Sequence, residues 1–241
     1  MKKRLLFSLF LGISLNAQAS INAVDNFQHY PVKSVIKQLN KKGWNKSVIA
    51  LQNPDDFGMK SLSITYTLPP INSQTLFTRF NGQKVLVRNN SIIIKMNGKT
   101  LKRKFAKVYS APNNYDWVGY YNYNNGNKEI VTNQTPIPQT ATVGSSQLMY
   151  QGKSTEYGQL SSTFTGRWEL KPSTNDTSTA QLCLYHHRLP ATDSIEDQTT
   201  EDQSFCYTID PQGNILDETI EIISYSQDKD ELPMVFKSIG D

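Results

Sequence analysis

The sequence predicts a mainly β protein: an antiparallel meander forming an open sheet, a sandwich or a barrel, with one short amphipathic helix near the N-terminus. Three observations carry this reading. Apolar and polar side chains alternate with a period of two in many short stretches, the pattern of half-buried strands. Gly, Pro, Asn and Asp fall between those stretches at intervals of roughly ten residues, as turns do in an all-β chain. Helical spacing of apolar residues is clear at one place only, residues 31–43.

Residues 1–19 are expected to be a signal peptide outside the fold. Lys2, Lys3 and Arg4 form a positive start, residues 5–15 an apolar run, and Ala17-Gln18-Ala19 offers the small residues a signal peptidase reads, with cleavage before Ser20. The apolar run is about half of what a spanning helix needs, so no transmembrane segment is expected in the mature chain. No cysteine follows the cleavage site, which argues against a lipid anchor there. The chain is therefore expected to be exported, to the periplasm or outside the cell, with residues 20–241 as a single β-rich domain. Residues 135–140 (TPIPQT) are the one linker-like stretch, so a subdivision near 133–144 is the alternative.

Charge needs the same correction. The formal net charge is +4, from 25 basic and 21 acidic side chains. Without Lys2, Lys3 and Arg4 the basic count falls to 22, nearly neutral, and an argument for nucleic-acid binding from overall charge fails. The distribution is uneven, however. Residues 20–120 hold fifteen basic against four acidic side chains, and residues 121–241 hold seven against seventeen. Such a chain either pairs its halves or shows two opposite faces.

Taken in order, Pro31 suits a first helical turn, Val32, Val35, Ile36 and Leu39 form an apolar stripe, and Gly43 ends the helix. The stripe is expected to pack on a sheet. Leu62, Ile64, Tyr66 and Leu68 then alternate cleanly up to Pro69-Pro70. Strands are expected at 85–88, 92–96 and 100–109, with Asn97-Gly98 as a tight hairpin turn that places Ile94 opposite Leu101. Residues 115–123 (YDWVGYYNY) carry five aromatics in nine positions and run into a turn at Asn124-Asn125-Gly126; residues 129–132 continue as strand. Residues 160–170 put Leu160, Phe164, Trp168 and Leu170 on one face and polar residues on the other. Residues 180–187 and 204–209 are short strands, 210–214 a turn, and 219–225 a strand.

Cys183 and Cys206, the two cysteines of the chain, sit near the centres of two of these strands. In an exported protein they are expected to form a disulfide, closing a loop of about two dozen residues at a gain of roughly 3 kcal/mol. Residues 191–203 (ATDSIEDQTTEDQ) read as an acidic, mobile excursion between them.

Three stretches carry a resemblance: Glu129-Ile130-Val131-Thr132-Asn133, Pro138-Gln139-Thr140-Ala141-Thr142-Val143-Gly144, and Thr179-Ala180-Gln181-Leu182-Cys183-Leu184. Together they resemble a family of uncharacterised exported bacterial β-meander proteins, often lipoproteins. The resemblance implies an envelope location and a single β-rich domain, and it implies no activity.

Catalytic signals are sparse. His186 and His187 are adjacent on an expected strand and point to opposite faces, so they cannot share an ion, and the histidines are expected at the surface or at strand ends. Zinc-site spacings, G-x-S-x-G, P-loop and dinucleotide fingerprints are missing from the sequence, so no metal, cofactor or catalytic residue is assigned. Two candidate binding features stand out. Tyr115, Trp117, Tyr120, Tyr121 and Tyr123 are interleaved with asparagines, a composition that contacts sugars or proteins, or else simply core and sheet covering. Lys102, Arg103 and Lys104 lie in the densest basic run, which suits an anionic envelope polymer, lipid headgroups or an envelope protein, or else protects an edge strand. The expected function is a non-enzymatic envelope protein acting as a binding or structural module. The alternative is an envelope glycan hydrolase using a carboxylate pair. A deep cleft with two convergent carboxylates would favour the hydrolase, and a closed, filled sheet the module.

Overall fold

The computed structural model describes residues 28–50, 61–174, 176–191, 200–225 and 234–238. The expected signal peptide, its cleavage site and residues 192–199 of the acidic excursion lie outside the described residues. Helix α1 (Val32–Lys42) is followed by β1 (Trp44–Ala50), β2 (Leu62–Leu68), β3 (Leu76–Phe80), β4 (Gln83–Met96), β5 (Lys99–Ser110), β6 (Trp117–Asn122) and β7 (Lys128–Gln134). The remaining strands are β8 (Ser146–Glu156), β9 (Gln159–Pro172), β10 (Ala180–Pro190), β11 (Thr200–Ile209), β12 (Ile215–Tyr225) and β13 (Met234–Ser238).

From β3 to β13 each strand pairs antiparallel with the next. Two further pairings bend this meander into a ring: β1 joins β13 and β2, and β2 joins β4. The result is a closed twelve-stranded antiparallel barrel, with β3 hanging from β4 outside the ring. Of the architectures the sequence left open, the barrel is the one formed. Closure removes the sheet edges that an open meander would expose.

Alternation decides which side chains face inward. On β2 these are Leu62, Ile64, Tyr66 and Leu68, and on β9 Phe164, Trp168 and Leu170 are buried while Arg167, Glu169 and Lys171 are not. Leu160, expected on the buried face, is exposed because it follows the Tyr157-Gly158 turn at the rim. A membrane-spanning barrel needs an apolar outer band; the charged outer row of β9 is the reverse of one. No helix among the described residues is long and apolar enough to cross a membrane.

Helix α1 plugs one end of the barrel. Val32, Val35 and Ile36 pack with Trp168, Leu170, Leu182 and Ile209 in the largest apolar cluster, so the stripe read from the sequence meets the inside of the sheet. Gly43 ends the helix at φ 69°, and a Cβ there would collide with the Leu68 carbonyl, so only glycine fits. The linker-like segment buttresses the plug: Ala141 and Tyr30 exchange backbone hydrogen bonds of 2.9 and 3.0 Å, and Ile137 packs on the same cluster. On the outer wall, β3 folds back so that Phe80 stacks on Tyr109 with ring centroids 4.0 Å apart, above Gly119.

Cys183 and Cys206 are direct cross-strand partners on β10 and β11 and are disulfide-bonded, on the outer face of the barrel. Residues 200–203 of the acidic excursion are not loop but the start of β11, paired with both β10 and β12. The Asn97-Gly98 turn is present, with φ of 50° and 77°. A bulge between Ile94 and Lys95 moves the register by one, so Ile94 faces Lys102 rather than Leu101.

Candidate functional site

Barrel size sets the interior. Eight strands leave just enough width for side chains to fill the middle, and twelve leave more. Here α1 fills one end, and a cavity of about 1080 Å³ runs along the rest. Its two walls differ. The contiguous strands β12, β13, β1, β2 and β4 contribute Ile220, Ile222, Phe236, Ile64, Ile92 and Ile94. The facing strands β6, β7, β10 and β11 contribute Tyr120, Glu129, His186, Arg188, Glu201 and Gln203. The first wall is mainly apolar, broken by Arg88 and Asn90 on β4 and by the Lys46–Glu218 pair on β1 and β12, and the second carries most of the remaining charge.

Arg88, on the inward row of β4, ties the plug to the barrel. Its Nη1 donates to the carbonyls of Asn40 (3.0 Å) in the last turn of α1 and of Pro69 (3.2 Å), and its Nη2 to Ser110 Oγ (3.3 Å). A cation suits the negative end of the helix dipole. Burial lowers the guanidinium's pKa to about 10, which leaves it charged at neutral pH. Arg88 and Asn90 are only 6% and 7% exposed. Even so, Arg88 Nε and Asn90 Oδ1 have no hydrogen-bond partner among the described residues, nor does Arg188 Nε. Buried polar atoms are nearly always paired. Three of the four unpaired ones among the described residues belong to side chains that line this cavity.

Arg188 organises the polar wall. It bonds Glu129, which is 5% exposed, and Glu201 lies close enough to act on both. Burial raises the Glu129 carboxyl's pKa, Arg188 pulls it back, and Glu201 adds to the rise. Burial, Glu129 and Glu201 together push the Tyr120 hydroxyl up to about 12. Beside this cluster the rings of Trp117, Tyr150, Phe164 and His186 form a group of edge-on and tilted contacts with centroids 5.1–6.3 Å apart. Two glycines make that group possible. Tyr150 lies across from Gly166 and Phe164 across from Gly152, and a Cβ at either glycine would enter the opposing ring.

No family model, curated protein or solved structure matches this chain. The function must be read from the interior itself.

The barrel splits the aromatic run read from the sequence. Tyr115, Trp117 and Tyr120 line the cavity, whereas Tyr121 packs outside against the β3 cluster and meets Tyr123 edge-on. Of the basic residues, Lys104 lines the cavity and Lys102 and Arg103 are exposed at the rim. Strand β5 is not an edge of the sheet, but β6 reaches only Ala106–Ser110, so Lys99–Lys104 is strand-paired on the β4 side alone among the described residues. His186 and His187 do point to opposite faces. His187 pairs with Asp202 outside, while His186 faces the cavity, contrary to the surface position expected for it. Glu129, Glu201, Arg188 and Arg88 went unread in the sequence because only closure brings them together. Among the described residues no group of His, Cys, Asp and Glu has metal-binding geometry.

His186 gives the protein an acid sensitivity. Burial, with help from Arg188 and His187, lowers its pKa to about 3, and Tyr150 shares a 3.2 Å hydrogen bond with its Nδ1. The unfolded chain takes up this proton near pH 6.5 and the native state does not, so stability is lost as pH falls below about 6.5. Glu129 acts in the opposite sense, because its raised pKa lets the native state accept a proton first. Replacing His186 with Gln isolates the histidine. The stability difference between wild type and H186Q, from urea unfolding, should shift against the wild type by about 2–3 kcal/mol between pH 7 and 4.5. A difference that does not change with pH would contradict the buried, neutral imidazole.

Proposed function

We propose that the protein is a non-enzymatic binding module of the cell envelope that encloses a small amphiphilic molecule in its barrel. The apolar body of the ligand lies along the Ile64, Ile92 and Ile222 wall, and its polar group meets Arg88, Asn90 or the Arg188 cluster. The observation that carries this reading is the pairing of an apolar wall with buried, unpartnered polar atoms around one cavity of about 1080 Å³. That volume lies near the upper end of ordinary ligand sites, roughly 300–1,000 Å³. Export to an oxidising compartment, inferred from the N-terminal sequence, is compatible with the disulfide.

A fluorescent fatty-acid probe tests this. Wild type should bind it saturably, with a change in Trp117 emission. The variant I92W/I222W, which fills the apolar wall, should lose binding while keeping its β circular dichroism. Absence of saturable binding by a folded wild type overturns the reading.

The hydrolase alternative has one observation in its favour, the raised pKa of Glu129 facing Glu201. Against it, Glu129 is buried and held by Arg188, which leaves it poorly placed to protonate a glycosidic oxygen. By the criteria set above the barrel is mixed: it is closed, but it is not filled, and Glu129 and Glu201 converge on Arg188 within it. Release of reducing sugar from envelope glycan, abolished in both E129Q and E201Q, would favour the enzyme.

A further inference from the structure

The β4–β5 hairpin combines three properties that the cavity does not explain. First, it is strongly basic, and none of its cations is in an ion pair among the described residues. No Asp or Glu occurs between Asp56 and Asp116, while Lys95, Lys99, Lys102, Arg103, Lys104 and Lys107 cluster on the hairpin. Among the described residues, Lys46 with Glu218 joins the basic N-terminal half of the chain to the acidic C-terminal half.

Second, the hairpin exposes large apolar side chains among those cations. Leu101 is 57% and Phe105 56% exposed. Phe105 shares the outward row of β5 with Arg103 and Lys107, because Lys104 and Val108 face the cavity, and Leu101 is the extra residue of the bulge opposite Ile94 and Lys95. Tyr123 continues the patch; it is exposed, with Lys107 Nζ 5.3 Å above its ring, and its backbone N–H donates to the Phe105 carbonyl at 3.4 Å.

Third, the hairpin sits at a defined end of the barrel. Arg88 and Leu68 lie beside α1, and Leu62, the far end of β2, pairs with Met96 at the hairpin tip. The basic tip thus marks the end opposite the helical plug, with Lys104 reaching the cavity from it.

We infer that this hairpin docks on an anionic lipid bilayer, with Lys99, Lys102 and Arg103 against the headgroups and Leu101 and Phe105 in the interfacial layer. Cations flanking exposed apolar side chains gain from both the surface potential and the headgroup–acyl boundary. A polyanion in solution offers only the first, so Leu101 and Phe105 favour the bilayer. The docking does not rest on the cavity reading, and the contact it proposes is the hairpin itself.

Co-sedimentation with vesicles tests it, using pure phosphatidylcholine against phosphatidylcholine with one-third phosphatidylglycerol. Wild type should sediment with the anionic vesicles at low salt, and much less at high salt or with neutral vesicles. K99S/K102S/R103S should weaken the partition by about fivefold per charge removed. L101S/F105S, which keeps every charge, should weaken it roughly tenfold or more through lost apolar burial. Melting temperatures of both variants should match wild type, since all five side chains are exposed. Failure of wild type to sediment with anionic vesicles at low salt overturns the proposal. So does binding that L101S/F105S leaves intact and soluble dextran sulfate competes away, which would mark a polyanion site.

Discussion

Replacing Arg188 with methionine is expected to destabilise the barrel by about 3–5 kcal/mol, the cost of leaving a buried carboxylate without its partner. Glu129 has nowhere to go in that variant. It is 5% exposed on β7, with Tyr120 beside it and Glu201 across the polar wall. Two further results separate this cause from simple loss of packing. The double variant R188M/E129Q should recover more than half of the loss, because it removes the stranded charge along with its partner. The R188M defect should also shrink as pH falls, since Glu129 without Arg188 has a pKa raised still further and can be neutralised by protonation. Sign follows from linkage: a carboxyl with a raised folded-state pKa weakens the native state in full above that pKa, and the penalty shrinks as pH falls below it and vanishes below the unfolded-state pKa. Urea unfolding at pH 7.5 and 5 reads both effects. A defect equal at the two pH values would mean that Glu129 is not the stranded group.

The second large effect comes from the glycines. Gly152→Ala and Gly166→Ala should each cost about 3 kcal/mol, at the upper end for overpacking. The two differ in what the new methyl meets. At Gly166 its three nearest neighbours are all atoms of the Tyr150 ring, and at Gly152 they include the backbone carbonyl of Ile130 beside the Phe164 ring. Shortening the ring should therefore rescue one site and not the other. Y150L should recover most of the G166A loss beyond its own cost, whereas F164L should recover little of the G152A loss, because β7 cannot retreat. Thermal unfolding of the two double-mutant cycles provides the comparison. Equal rescue at both sites would contradict the close approach of β7 to β8.

These residues also show what the sequence made legible. Alternation on β2 and β9, the Asn97-Gly98 turn and the helix stripe depend on neighbours in sequence, and they could be read from it. Closure could not. Strand β1 reads as WNKSVIA, with Lys46 where an inward apolar residue would be expected, and Lys46 is accommodated there by Glu218 from the far end of the chain. The strands β3, β8 and β13 were likewise unmarked, β8 because Gly152 and its polar neighbours obscure the period. The Ile94 bulge moved a register that turn chemistry alone had placed one residue away. At the site, the carboxylate pair could not be chosen from so many acids until the barrel set Glu129 and Glu201 on one arginine. A signal did exist for the aromatic group. Lone glycines inside strand patterns, such as Gly166 in LSSTFTGRWEL, mark places where something bulky approaches the backbone.

The central claim, that the barrel interior is a ligand site, is tested most directly by diffraction from crystals grown with a long-chain fatty acid brominated at its terminal carbon. An anomalous bromine peak is expected inside the barrel against Ile64, Ile92 and Ile222, with the carboxylate toward the polar side chains. Loss of that peak is expected in I92W/I222W. A well-ordered barrel showing no bromine peak within the cavity at saturating ligand, or peaks confined to its outer surface, would contradict that claim.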